Sequence, residues 1–175
     1  MESRPTGYGA IKSRPTKPAI KDGHNPAIIA PLPLPAANPI QQEASTAMNA
    51  LLWVLQIFLG VYFFITGVIH FILPPGLPAP MSWMYELSPA LHAFSGAAEI
   101  LAGLGLILPG LTRIQTRLTP LAGLGLVILM LGAAVWHVQR GEYLNIAMNL
   151  LLAALAGFIA YGRWRLRPLA QKSRS

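Results

Sequence analysis

The 175-residue chain contains no cysteine. That excludes disulfides, thiol nucleophiles, iron–sulfur ligation and thiolate zinc sites within it. Charge is the second scarcity. Asp, Glu, Lys and Arg together make up 11% of the residues, against about 25% in an ordinary soluble domain. Acidic residues are the rarer sign, six against thirteen Lys and Arg. The first residues also lack the early apolar run of a secretory signal. What fills the chain instead is hydrocarbon: 54% of residues are apolar. The balance is that of a membrane protein.

The basic residues are unevenly placed. Five precede residue 22, five follow residue 162, and Arg113, Arg117 and Arg140 lie between. A net charge of +7, gathered at the ends of apolar segments, reads as a topology signal and a contact for anionic lipid. Nucleic acid is not an expected partner.

Residues 1–45 form a proline-rich basic tail, including the stretch "PAIIAPLPLPAANP" (Pro26 to Pro39). Such a run favours extended, polyproline-like backbone. It is expected to be a cytoplasmic tail, disordered by itself, that could contact a cytoplasmic partner. Residues 46–168 then carry four runs long enough to cross a bilayer as helices, at about 47–73, 89–108, 120–138 and 143–162. Residues 169–175 are a basic C-terminal tail. The expected fold is an all-α four-transmembrane-helix bundle, because backbone in hydrocarbon must satisfy its own hydrogen bonds. Ser88–Pro89 and Thr119–Pro120 each offer a capping hydroxyl followed by a proline at the first helical position. The "LPG" of Leu108 to Gly110 is expected to stop the second helix. The loop 74–88 has no positive charge, and the loop at 139–142 has only Arg140. Both termini are therefore expected in the cytoplasm. The proline- and aromatic-rich loop "PPGLPAPMSWMYELS" is expected to form an ordered cap on the outer side, or a lid.

The hexapeptide "LAGLGL" occurs at 101–106 and again at 121–126. Small residues let helix backbones approach closely in membranes. Gly96, Gly103, Gly105, Gly123, Gly125 and Gly132 are the expected packing positions.

The polar residues of the apolar region collect in one half of it. Glu99 lies ten residues after Pro89, so about 15 Å along its helix and near mid-membrane. His92 and Ser95 precede it by seven and four residues, which places all three on one helical face. Thr66 and His70, four apart, end the first helix, with Tyr62 a turn deeper; His137 ends the third, and Asn145 and Asn149 share a face of the fourth. Intramembrane ionisable groups are costly, and they usually face the bundle interior or a functional cavity. Glu99, His92, His70, His137, Ser95, Thr66, Asn145 and Asn149 are the candidates for handling a ligand or a proton. Taken singly, each histidine reads more readily as a solvated residue near a helix end, and each asparagine as an interhelical hydrogen bonder, as is expected of Gln56. Glu99 is too deep to snorkel, and stands between a structural tie and a functional group. No metal-ligand set is read. Haem is not expected, since no His pair repeats along two helices.

Residues 50–162 resemble the DoxX and DoxX-like family of small bacterial and archaeal membrane proteins. The likeness rests on "GVIHF" (Gly67 to Phe71) closing the first helix and a proline-containing loop. It continues with "GAAEILAGLGLILPGLTR" (Gly96 to Arg113) and "LAGLGLVILMLGAAVWHV" ending the third helix near His137. Where members often carry a lysine near the end of the first helix, this chain has His70. The resemblance implies a bacterial inner-membrane (plasma-membrane) location. It also implies a subunit role in membrane oxidoreductases, one of them a thiosulfate:quinone oxidoreductase, or association with oxidant-defence enzymes. The leading expectation is a membrane subunit of a redox assembly, with a polar outer-half pocket for a quinone-like or other small apolar molecule. The alternatives are a non-catalytic accessory subunit that packs against membrane-protein partners, and a small transporter or proton-conducting protein.

Overall fold

The computed structural model describes residues 38–172. They fold into α1 (Pro39–Ile72), α2 (Pro89–Thr112), α3 (Leu118–Val138) and α4 (Tyr143–Tyr161). A 3₁₀ segment, Ala79–Glu86, joins α1 to α2, and α4 runs on through a π turn, Gly162–Leu166. Each of the four helices, α4 taken with its π turn, is long and apolar enough to cross a membrane. The described residues contain no strand. The proposed extended tail and its cytoplasmic partner fall on residues 1–37, outside the described residues.

Three boundaries differ from the sequence expectation, each for a local reason. Helix α1 begins eight residues earlier than residue 47, so residues 39–45 are not tail. Asn38 caps it, its side-chain oxygen accepting from the Ile40 N–H at 3.1 Å, and Pro39 takes the first position. At 34 residues it is about 50 Å long, more than a hydrocarbon core of about 30 Å needs. Helix α2 starts as expected at Ser88, whose hydroxyl accepts from the Leu91 N–H. It does not stop at "LPG". Pro109 is buried inside the helix, which ends only where Arg113 turns left-handed at φ 59°. Neighbouring helices support a proline in a membrane helix despite its one lost hydrogen bond. Helix α3 begins at Leu118, so Thr119 lies inside the first turn and caps nothing. A first turn tolerates proline at any place where the N–H would be unpaired, and Pro120 sits there.

Glycines bring α1 against α2. A Cβ at Gly103 would lie 2.6 Å from the Gly60 carbonyl oxygen, and one at Gly67 would lie 2.8 Å from that of Gly96. The second "LAGLGL" turns to another neighbour: a Cβ at Gly123 would meet the Ala156 carbonyl oxygen on α4 at 3.0 Å. Gly105 meets Ala122 across α2 and α3, at 2.9 Å from its Cβ. Gly125 and Gly132, expected at packing positions too, have no atom within 4 Å of such a Cβ. They border open space, because α2 and α3 do not close on each other there.

The half of the bundle where α1 begins and α4 ends is solid. Leu59, Leu106, Leu126, Ala156 and Ile159 are fully buried together. Gln56 donates to the Leu106 carbonyl oxygen at 2.7 Å and accepts from Arg163, tying α1, α2 and the π turn. The other half, capped by the 3₁₀ segment, is hollow.

Candidate functional site: a polar cavity in an apolar bundle

The hollow is a cavity of about 600 Å³ walled by all four helices and the 3₁₀ segment. That volume suits a small organic ligand. Its wall includes Glu99, His70, His137, Ser95, Thr66, Asn145 and Asn149 among mainly apolar residues. Seven of the eight candidate residues thus share one space, brought there by helical periodicity. His92 does not line it. It stands behind His70, with the two Nδ1 atoms 2.9 Å apart.

Glu99 is 7% exposed. Its Oε1 lies 3.8 Å from His70 Nε2, while Oε2 is buried with no hydrogen-bond partner among the described residues. A buried polar atom without a partner is expensive and uncommon, and this one borders a cavity. The hydroxyl of Thr66 is directed to backbone, to the carbonyl oxygens of Tyr62 at 3.1 Å and Phe63 at 3.3 Å.

The 3₁₀ segment roofs the cavity. Trp83 packs edge-on against His137 at 5.1 Å between ring centres, and lies 6.0 Å from both His70 and Trp136. Tyr85 fastens the preceding turn: its hydroxyl donates to the Pro74 carbonyl oxygen at 2.7 Å and accepts from the Leu77 N–H at 3.0 Å. Arg140 pins the segment's end by pairing with Glu86, and also donates to Glu142 at 2.8 Å. Glu142 in turn meets His137 Nδ1 at 2.6 Å and accepts from Asn145 at 3.1 Å. The Arg140 guanidinium, first of all, holds the Glu142 carboxyl down at about 2 against the opposing effect of burial, and the hydrogen bonds from Asn145 and His137 add to the lowering. The same bond raises Arg140 above its ordinary value.

Sequence reasoning did not single out Trp83, Arg140, Glu86 or Glu142 as part of this site. They sit between the long helices, Trp83 and Glu86 on the 3₁₀ segment, where no long periodicity reports facing; the hints were the reading of that stretch as a cap or lid, and Glu142 five residues past His137 across a turn. Among the described residues no group of three or more His, Asp or Glu is arranged to hold a metal ion.

Four apolar membrane-length helices around a mainly apolar cavity with a few polar groups in its wall define an integral membrane protein built as a small bundle. Residues 54–159 match the DoxX-like family, and the chain belongs to it. No curated protein and no solved structure matches the chain.

Proposed function

We propose that this protein is the membrane-embedded, ligand-binding subunit of a redox-linked assembly, and that its cavity takes a quinone-like molecule: a flat apolar ring bearing carbonyl or hydroxyl oxygens. The carrying observation is the unpartnered Glu99 Oε2, buried at the wall of a 600 Å³ cavity that is otherwise mainly apolar. A protonated Glu99 donates to a ligand carbonyl, and an ionised Glu99 accepts from a ligand hydroxyl. Either bond satisfies the orphan oxygen. Ser95, Asn145 and Asn149 offer further donors and acceptors for a second ligand oxygen. Trp83 and Trp136 give the ring aromatic surfaces to lie against.

Access fits a ligand dissolved in lipid. Phe94 and Ile128, each 67% exposed, line the cavity on the α2–α3 side, next to the uncrowded Gly125 and Gly132. A lateral mouth there would admit an apolar molecule from the bilayer. A quinone carries two electrons and two protons between its oxidised and reduced forms. This chain's part would be to bind, orient and exchange a proton at Glu99. With no cysteine in the chain, thiol or iron–sulfur electron transfer would come from a partner subunit. The solid core of Leu59, Leu106, Leu126, Ala156 and Ile159 below the cavity favours a closed binding site over a through pathway for ions. We place the protein in a bacterial inner membrane with both termini in the cytoplasm.

The test is titration of the protein in nanodiscs with decyl-ubiquinone, read by quenching of tryptophan fluorescence. Saturable binding at one per chain is expected, weakened about tenfold or more in Glu99→Leu, the scale of one lost buried hydrogen bond. Absence of saturable binding to the wild type, or equal affinity in Glu99→Leu, would sink the reading and leave the accessory-subunit role.

A further inference from the structure

His70 and His92 make a contact that the binding site does not require. Their Nδ1 atoms are 2.9 Å apart, across α1 and α2. Two facing imidazole nitrogens form a hydrogen bond only if one carries a proton and the other does not. The pair therefore holds one proton between two imidazole nitrogens, which is the arrangement along which protons hop. His70 is buried at 4% exposure and turns its other nitrogen, Nε2, toward Glu99 Oε1 at 3.8 Å. His92 is half-buried, in the first turn of α2, at the capped end of the bundle. The three groups run in order from the cavity wall to the bundle end.

We propose that His92 and His70 form the proton route by which Glu99 exchanges with water at the capped end. The inference rests on Glu99 being the group that serves the cavity. A proton taken up at His92 Nε2 makes that ring an imidazolium, which passes its Nδ1 proton to His70 Nδ1. His70 then releases its Nε2 proton to the Glu99 carboxylate. One proton enters, one arrives, and both rings end neutral with their tautomers reversed; the return passage restores them. The 3.8 Å step closes with a small side-chain rotation or one water beside the cavity. The route ends at Glu99, because the next layer towards the start of α1 and the end of α4 is the apolar core.

The titratable and polar groups around the route come from every wall. Tyr62 and Thr66 belong to α1, and Ser95 to α2. His137 closes α3, and Asn145 and Asn149 face in from α4. The 3₁₀ segment brings Trp83, whose ring is 6.0 Å from His70. Glu142 and Arg140 bond one another and His137. None of these is placed between Glu99 and His92 as His70 is.

Infrared spectroscopy of the ligand-free protein in nanodiscs tests this. The Glu99 carboxyl band, assigned by its loss in Glu99→Gln, is followed after a pH jump and after transfer to D₂O. His92→Gln keeps a hydrogen-bonding partner for His70 but cannot relay a proton. We expect Glu99 exchange at least tenfold slower in His92→Gln and His92→Ala, with an unchanged endpoint, and recovery of His92→Ala by added imidazole. Wild-type rates in His92→Gln would overturn the proposal, as would slowing that imidazole fails to restore. A wild-type protein with no titrating Glu99 band between pH 4 and 9 would instead count against Glu99 as the serving group.

Discussion

At the scale of single residues, the polar groups divide by what satisfies them. Gln56 has both ends of its amide in use, and Asn145 is held by Glu142. Glu99 keeps an oxygen free at the cavity. The sequence made Glu99, Ser95, Thr66 and His70 legible because an α-helix repeats every 3.6 residues, so spacing alone puts them on inward faces. It did not reveal that His92 would stand behind His70 instead of in the cavity, since that depends on how α1 and α2 approach. Glu142 carries a pH prediction. Its carboxyl is held at about 2, chiefly by Arg140, below the ordinary 4.5. A depressed carboxyl stabilises the fold above its unfolded value and loses that contribution as pH falls through the folded one. Wild type should therefore unfold at a higher temperature than Glu142→Gln at pH 6 to 7. The gap should narrow as pH drops from 4.5 toward 2 and shrink in high salt, because the pair is solvent-screened. Thermal scans of the two proteins in one detergent, over that pH series, check it.

Among elements, contacts between helices decide which glycines matter. Composition could flag Gly103 and Gly125 as members of the same repeated hexapeptide, but it could not say which helix each would face. Gly103 is pressed to the α1 backbone, at 2.6 Å for a Cβ against the Gly60 oxygen, while Gly125 has nothing within 4 Å. Backbone cannot yield as a side chain can, so Gly103→Ala must force α1 and α2 apart, at a cost of roughly 1–3 kcal/mol. Gly125→Ala meets no such obstacle and gains helix propensity, up to about 1 kcal/mol. The expected order of unfolding temperatures is Gly125→Ala at or above wild type, and Gly103→Ala well below. An equal fall in both would show that the α2–α3 side is packed after all. Two of the three element boundaries missed from sequence turn on a proline. Proline was read as a stop at Pro109 and as tail at Pro39, whereas a buried helix tolerates the first and a cap makes use of the second.

For the whole molecule, the remaining question is direction across the membrane. Among the described residues, Arg113, Arg117, Arg163, Arg165, Arg167 and Lys172 all belong to the end of the bundle where α1 begins and α4 ends, whereas the capped end offers only Arg140. Arg140 is, moreover, paired with Glu86 and Glu142, so that end presents no free cation among the described residues. Lys and Arg near helix ends are retained on the cytoplasmic side, and the asymmetry here is carried by short loops and flanks, where that rule is strongest. The capped end, with Trp83 and the cavity, should then face away from the cytoplasm, and the His92 entrance with it. The absence of cysteine makes this directly measurable, because a single introduced thiol is the only one in the chain. Ser82, exposed on the 3₁₀ segment, and Thr112, exposed at the end of α2, sit at opposite ends of the bundle. In intact bacterial cells stripped of the outer membrane, a membrane-impermeant maleimide should label Ser82→Cys and leave Thr112→Cys unmodified until the membrane is permeabilised. The reverse pattern would invert the topology and put the cavity on the cytoplasmic side, where any proton reaching Glu99 would be drawn from the cytoplasm.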